Sequence, residues 1–240
     1  MKICVIGLDG AVPEIVFQDE RLVNLRRLVD AGLYGMLQGA ELSAAESVFT
    51  DLTTGQDGGS VNAKSIAEWL ATKGKKAVVV NESGTVLTQF AEQNWDYFQF
   101  IDLGLRNIDT THVHAGSEES AASMVADYHL SFDEQICKVI EMLDDQTILL
   151  VVLATISRSQ NDPTSGRGLF LLAAPNCPIG GEYEGARVLD LVPTLLDLAG
   201  YEIPSSMQGR SLIAGMEKRV PTEEDHEKII YDRLAGLGYV

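Results

Sequence analysis

The sequence predicts an α/β protein, a three-layer sandwich built around a mostly parallel central sheet. Residues 147–153, TILLVVL, form a nearly unbroken aliphatic run, which is typical of a strand buried on both faces of a parallel sheet. Such runs alternate along the chain with segments of helical periodicity, as expected for layered α/β folds. The chain has 240 residues, 45% of them hydrophobic, which fits one domain spanning 1–240.

The first half of the chain contains three predicted strands and two predicted helices. In residues 21–32, Leu22, Leu25 and Leu28 share one helical face, and Gly32 supplies the stop. The helix predicted over 65–74 has the same kind of apolar face and also ends at a glycine. The predicted segments in order are a strand at 2–8, a helix at 21–32, a helix at 65–74, a strand at 76–80 and an aromatic strand at 95–104.

The second half continues the alternation. In the helix predicted over 187–200, Asp190 is expected to be the N-cap and Pro193 to lie in the first turn, where proline is tolerated. Thr222 is the expected N-cap of an acidic amphipathic helix. The predicted segments are a long helix at 118–143, the strand at 147, a strand at 168–174, the helix at 187–200 and the helix at 222–233.

Composition excludes several functional classes. Lys and Arg total 18 against 35 Asp and Glu, a net charge of −17, which disfavours nucleic acid and anionic membrane surfaces as partners. The three cysteines, Cys4, Cys137 and Cys177, are far apart, so neither a disulfide framework nor a zinc site is expected; Cys4 and Cys137 fit buried positions. The N-terminal apolar run is too short for a signal peptide, and no run reaches membrane-spanning length, so we expect a cytoplasmic protein.

Single motifs are weak evidence here. Asp9 follows a buried strand and precedes Gly10, so it could be a metal ligand or could cap the next helix. Residues 53–60, TTGQDGGS, lack the lysine of a phosphate-binding P-loop. The stretch GLDGA is similar to a haloacid-dehalogenase nucleophile loop, but Gly7 stands where that loop needs an acid.

Several stretches, in order, resemble the alkaline phosphatase superfamily, in particular its type I phosphodiesterase/nucleotide pyrophosphatase branch. KICVIGLDGA is similar to the family's first strand with its metal-binding aspartate, and NLRRLVDAGLYGMLQ to the helix and turn that follow. The stretch at 181–212, with RVLDLVPTLLDLAGYEIPSSMQGRSL, is the most specific match, and RLAGLGYV resembles the usual end of these chains. The resemblance implies an alkaline-phosphatase-like fold without a sizeable cap insertion.

The resemblance also implies an active site, which can be checked position by position. Family enzymes bind two metal ions, usually zinc, and use a Thr or Ser nucleophile. Asp9 matches the first ligand. The nucleophile position falls on Ala45; Ser43, Ser47 and Thr50 lie nearby but out of register, so Ser47 and Thr50 are only candidate nucleophiles.

The remaining ligand positions match poorly. An Asp-x-x-x-His motif falls on Asp109, but Val113 replaces the histidine, with His112 and His114 on either side. All three polar residues could bind one metal only from a loop, because no regular element places them together. The family's Asp-His pair after a later strand falls on Ala154 and Thr155, and its last histidine falls near Ser165.

We therefore predict a non-catalytic protein with a binding, regulatory or structural role and a small anionic ligand or a protein partner. Two scattered carboxylates cannot hold two closely spaced divalent ions. The alternative is a reduced phosphodiesterase or phosphatase that uses Asp9, Asp109 and a nearby histidine, with zinc or another divalent metal as cofactor.

Overall fold

A computed structural model describes residues 1–37, 47–57, 63–80, 86–92, 94–102, 118–154 and 168–218. These residues form seven strands and seven helices. The strands are β1 (Lys2–Asp9), β2 (Leu33–Leu37), β3 (Ala77–Val80), β4 (Tyr97–Asp102), β5 (Thr147–Ala154), β6 (Gly168–Ala173) and β7 (Gly181–Glu182). The helices are α1 (Ile15–Gln18), α2 (Val23–Ala31), α3 (Ser47–Thr54), α4 (Ile66–Thr72), α5 (Val86–Glu92), α6 (Glu118–Met142) and α7 (Val188–Leu198).

One sheet contains all the described strands, in the order β3-β4-β1-β5-β6-β2-β7. The strands β3, β4, β1 and β5 run parallel to one another. Within the described sheet β6 is the reversed strand, antiparallel to both β5 and β2. The prediction of a mostly parallel central sheet is confirmed.

Helices cover both faces of the sheet, which gives the predicted three layers. Alternate residues of β1 divide between them: Ile3 and Val5 pack with α3, α4 and α7, whereas Ile6 and Leu8 pack with α2, α5 and α6. Every residue of β5 is buried, because apolar helices lie on both sides of it. The aliphatic run at 147–153 is therefore the centre of the sheet.

Five short elements were not predicted from the sequence, namely α1, β2, α3, α5 and β7. β2 has five residues that alternate between buried and half-buried, a pattern too short to separate from the preceding helix. α3 contains the candidate nucleophiles Ser47 and Thr50, in a stretch without a clear helical periodicity in the sequence. Short elements of this kind acquire their conformation mainly from what they pack against.

The predicted N-terminus of α7 is wrong by three residues. The helix begins at Val188, with Arg187 as the cap residue, and Asp190 lies three positions inside it. Pro193 consequently lies in the second turn, where it cannot donate a hydrogen bond to the carbonyl of Leu189. Asp190 still caps the helix, because its Oδ2 accepts a hydrogen bond from the backbone N–H of Arg187 at 3.1 Å.

The cysteine predictions are confirmed in part. Cys4 is buried, and burial raises the pKa of its thiol. Cys137 is only half-buried on α6, with its Sγ 3.7 Å from the Glu141 carboxylate, so its predicted burial is wrong. The predicted helix at 222–233 lies outside the described residues.

In the described part of the chain, no helix is both long enough and apolar enough to cross a lipid bilayer.

Candidate functional site

The candidate site lies at the carboxyl edge of the sheet, where β1, β4 and β5 end side by side. Asp9, Asp102 and Ala154 are the last residues of these strands. Asp9 pairs with Ala154 in the register of β1 and β5, and Leu8 pairs with Asp102 in the register of β1 and β4. Functional groups of doubly wound α/β proteins collect at this edge. The structure therefore places Asp9 at the edge of the sheet where such groups collect.

Asp9 and Ala154 are neighbours on the same face of the sheet. Strand alternation puts Asp9 on the side of Ile3 and Val5, and Ala154 on the side of Val152, all facing the layer of α3, α4 and α7. Asp9 is 1% exposed and Ala154 is 0% exposed. The N–H of Gly10 donates to the carbonyl of Ala154 at 2.8 Å, so the two strands remain paired up to this edge. A methyl group therefore stands beside the Asp9 carboxylate.

Helix α3 lies directly against the end of β1. A Cβ atom at Gly7 would lie 2.4 Å from the Phe49 ring, so a larger residue at this position would require the ring to shift. Thr50, one of the candidate nucleophiles, is the next residue along α3, and Ser47 is the first residue of the helix. The carbonyl of Thr50 accepts hydrogen bonds from the hydroxyls of Thr53 and Thr54, at 3.1 and 2.8 Å. The structure thus brings the hydroxyl-bearing helix and the Asp9 strand together.

The end of α3 is fixed by the stretch that carries the strongest sequence resemblance. The N–H of Gln208 donates to the carbonyl of Gly55 at 2.9 Å, and the Gln208 side chain accepts a hydrogen bond from Asp57 at 3.2 Å. The same segment is attached to α7, since Thr194 Oγ1 accepts a hydrogen bond from the N–H of Leu212 at 2.9 Å. The segment at 207–213 therefore positions α3 over β1.

The carboxylate of Asp190 also joins α7 to the 207–213 segment. Its Oδ1 accepts hydrogen bonds from Arg187 Nη2 at 2.8 Å and from the N–H of Arg210 at 2.9 Å. Burial raises its pKa, but the hydrogen bonds from Arg187 and Arg210 outweigh that effect and hold the pKa of Asp190 below its usual range. The carboxylate consequently remains ionised at neutral pH and joins the two segments.

Helix α6 holds the ends of β4 and β1 with two consecutive residues. Tyr128 donates its hydroxyl to Asp102 Oδ1 at 2.6 Å, and burial together with this bond raises the pKa of Tyr128. His129 accepts a hydrogen bond at Nε2 from the N–H of Val12, which lies just after β1, at 3.3 Å. Sequence analysis missed Asp102, Tyr128 and His129, although Asp102 gave one usable signal: it is an acid at the end of a strand.

Several predicted site residues lie outside the described residues. These are the candidate ligands Asp109, His112 and His114, the nucleophile position Ala45, and the positions Val113, Thr155 and Ser165. Within the described ranges, no group of three or more His, Cys, Asp or Glu side chains is arranged to hold a metal ion. The described end of β5 does not fit the two-metal centre that the sequence resemblance implies, because Ala154 offers no ligand atom beside Asp9.

Comparison with solved structures defines the class of fold. The chain has the α/β fold of the sulfatases and of the alkaline phosphatase superfamily. It superposes on a protein assigned as a sulfatase from Bacteroides thetaiotaomicron with a TM-score of 0.67 and 12% identity, over 92% of this chain and 76% of that one. It superposes on an alkaline phosphatase superfamily protein from Vibrio parahaemolyticus with a TM-score of 0.58 and 15% identity, over 93% and 71%. The predicted fold class is confirmed.

Sequence comparison gives one similarity to a characterised enzyme. The chain is 30% identical over 128 residues to the 2,3-bisphosphoglycerate-independent phosphoglycerate mutase of Clostridioides difficile. The match covers 50% of this chain but only 24% of the mutase. No family model matches the sequence. The assignment to the type I phosphodiesterase branch stays a prediction.

Proposed function

We propose that this protein is non-catalytic and acts through binding, in a regulatory or structural role, on an alkaline-phosphatase-like scaffold. The observation that supports the proposal most directly is the pairing of Asp9 with Ala154. The sequence resemblance places an acidic ligand of two-metal hydrolases at position 154. A buried methyl group there cannot bind or neutralise a cation.

Electrostatics explains why this one position matters. Two divalent ions held close together repel each other, and several carboxylate or imidazole ligands must offset both that repulsion and the loss of hydration. At the paired ends of β1 and β5, Asp9 offers carboxylate oxygens and Ala154 offers no ligand atom. The loss of a hydroxyl at Ala45 in the sequence would also remove the nucleophile on which covalent catalysis depends.

The proposed binding surface is the carboxyl edge formed by β1, β4 and β5. We propose a small anionic ligand or a protein partner there, in the cytoplasm. The net charge of −17 supports neither nucleic acid nor an anionic membrane surface as the partner.

A second candidate function is a reduced, metal-dependent phosphodiesterase or phosphatase that uses Asp9, Asp109 and a nearby histidine. The close contact of Gly7 with Phe49 supports it, because Thr50 and Ser47 then belong to a helix that lies on the Asp9 strand. Zinc or another divalent ion held by such residues would supply Lewis-acid chemistry.

Metal analysis and enzyme assays distinguish the two candidates. We expect substoichiometric zinc, manganese and magnesium in protein purified without chelator, and no turnover of aryl phosphate mono- or diesters when these metals are added. Asp9→Ala and Asp109→Ala should leave both results unchanged. Asp30→Ala, on the exposed surface of α2, is the matched control for loss of a carboxylate. Turnover that disappears in Asp9→Ala or Asp109→Ala but persists in Asp30→Ala would establish the reduced enzyme.

A further inference from the structure

His129 is a buried histidine that joins α6 to the segment following Asp9. Its side chain lies on α6 and is 0% exposed. Its Nδ1 lies 2.7 Å from the carbonyl oxygen of Val125, one turn earlier in the same helix. Its Nε2 lies 3.3 Å from the backbone nitrogen of Val12. Both ring nitrogens therefore have backbone partners, one an acceptor and one a donor.

These partners are compatible with only one protonation state. A carbonyl oxygen can only accept, so Nδ1 must carry a proton. The N–H of Val12 can only donate, so Nε2 must have its lone pair available. The ring is therefore neutral, with its proton on Nδ1. If Nε2 also took up a proton, two N–H donors would face each other and the bond to Val12 would break.

The bond to Val12 matters because of its position in the chain. Val12 lies three residues after Asp9, in the connection between β1 and α1. On the other side of the same connection, Gly10 donates to the carbonyl of Ala154. We propose that His129 is a pH-sensitive latch that holds residues 10–14 beside the carboxyl edge when neutral and releases them when protonated.

The charged surroundings are consistent with a neutral ring at pH 7. Burial lowers the pKa of His129, while the hydrogen bond to Val125 and the charge of Asp19 act in the opposite direction. Arg21 partly offsets the charge of Asp19, since its Nη2 lies 2.7 Å from Asp19 Oδ2. Asp19 is the charged group that acts on His129 directly. Other titratable residues on the neighbouring elements include Asp9, Glu14 and Arg21 on the β1–α2 side, Asp102 on β4, and Asp127, Tyr128 and Asp133 on α6.

The latch does not depend on whether the carboxyl edge is catalytic. A histidine held in this way controls the position of residues 10–14 whether Asp9 contributes to a ligand site or to a metal site. The latch can therefore be absent although the protein is non-catalytic, and it can be present although the protein is an enzyme.

NMR of the intact chain tests the latch directly. Between about pH 7.5 and about pH 5, the range in which histidines titrate, we would record the His129 ring signals and the hydrogen-exchange protection of backbone amides. The protection factor of Val12 should fall about 2- to 10-fold at the acid end, as expected for loss of one hydrogen bond of ordinary net strength. The midpoint should coincide with the titration of His129. The amide of Val151, at the centre of β5, is the internal reference and should keep its protection.

Two variants make the test specific. In His129→Gln, the side-chain amide can accept from Val12 but cannot titrate, so Val12 protection should become independent of pH in this range. Tyr128→Phe removes the neighbouring bond to Asp102 and should leave the pH response of Val12 intact. The proposal is overturned if Val12 protection does not change with His129 titration, or if the same change persists in His129→Gln. If His129→Gln does not fold, the test uses the wild-type protein and Tyr128→Phe. In both, the midpoint of the change in Val12 protection is compared with the midpoint of the His129 titration: equal midpoints support the latch, and different midpoints overturn it.

Discussion

Ala154 lies beside Asp9 at the position where the sequence resemblance expects an acidic metal ligand. Its side chain is fully buried and lies beside Asp9 on the same face of the sheet. Replacing it therefore tests whether the remainder of the edge can still accept a cation.

We predict that Ala154→Asp destabilises the metal-free protein by several kcal/mol, because it buries a second carboxylate next to Asp9. Zinc should restore part of that loss, since a ligand that binds only the folded state stabilises it. Chemical denaturation with and without zinc measures both effects.

The matched control is Ala154→Asn, which has the same size but no charge. It should lose less stability than Ala154→Asp and should not respond to zinc. Equal responses of the two variants to zinc would contradict the idea that charge at position 154 determines metal binding. Adding Thr155→His should raise the zinc affinity further, without turnover while Ala45 remains.

Among the elements, α2 depends on a cap supplied by another helix. Asp133 of α6 accepts hydrogen bonds from the N–H groups of Asn24 and Leu25, at 3.2 and 2.8 Å, and from the Asn24 side chain at 2.7 Å. The residue before α2, Leu22, has no side chain that could cap it. Asp133 therefore performs at a distance the role that a local N-cap residue usually performs.

We expect Asp133→Ala to lower the free energy of unfolding by about 3 kcal/mol, because buried N–H groups at the start of α2 lose a charged acceptor. Urea denaturation measures the loss. Asp127→Ala removes an exposed carboxylate from the same helix and should change stability by less than about 0.5 kcal/mol. Similar losses in the two variants would mean that general charge, not the cap, is responsible.

The contact between α7 and the following segment depends on Gly209. A Cβ atom there would lie 1.9 Å from the carbonyl oxygen of Leu189, the group whose intrahelical partner is missing because of Pro193. The atoms nearest to that Cβ position are backbone atoms of Leu189 and Asp190, so no flexible side chain could move aside. The helix and the 207–213 segment can approach this closely only with glycine.

Gly209→Ala should therefore cost about 1–3 kcal/mol or more, since overpacking against backbone forces the segment away from α7. Thermal unfolding followed by circular dichroism measures the effect. Gly180→Ala is the control, because a Cβ atom there would meet only an ordinary contact at 3.4 Å. A Gly209→Ala variant as stable as Gly180→Ala would show that the segment can move without loss.

For the whole molecule, we predict that folding does not depend on a metal ion. The sheet is buried between two apolar layers, and β1, β5 and β6 contribute buried side chains to both of them. Burial of this kind stabilises a domain without the metal binding that smaller domains require. A chelator should leave the thermal midpoint unchanged, and a drop of several degrees that zinc reverses would identify a structural ion.

The sequence by itself determined the layered α/β fold, the buried strands β1, β5 and β6, and the position of Asp9 at a strand end. These features are local, because hydrophobic periodicity and strand ends can be read within about ten residues. Ala154 was also identified at a strand end, through its place in the motif resemblance.

The tertiary structure alone decided which distant groups meet. It placed Asp9 against Ala154, made Asp133 the cap of α2 across 109 positions of the chain, and joined His129 to Val12 across 117 positions. It also set the start of α7 at Val188, where Asp190 lies inside the first turn and accepts a hydrogen bond from the N–H of Arg210. Contacts at such separations depend on how strands and helices pack in space, and no local pattern of residues records that packing.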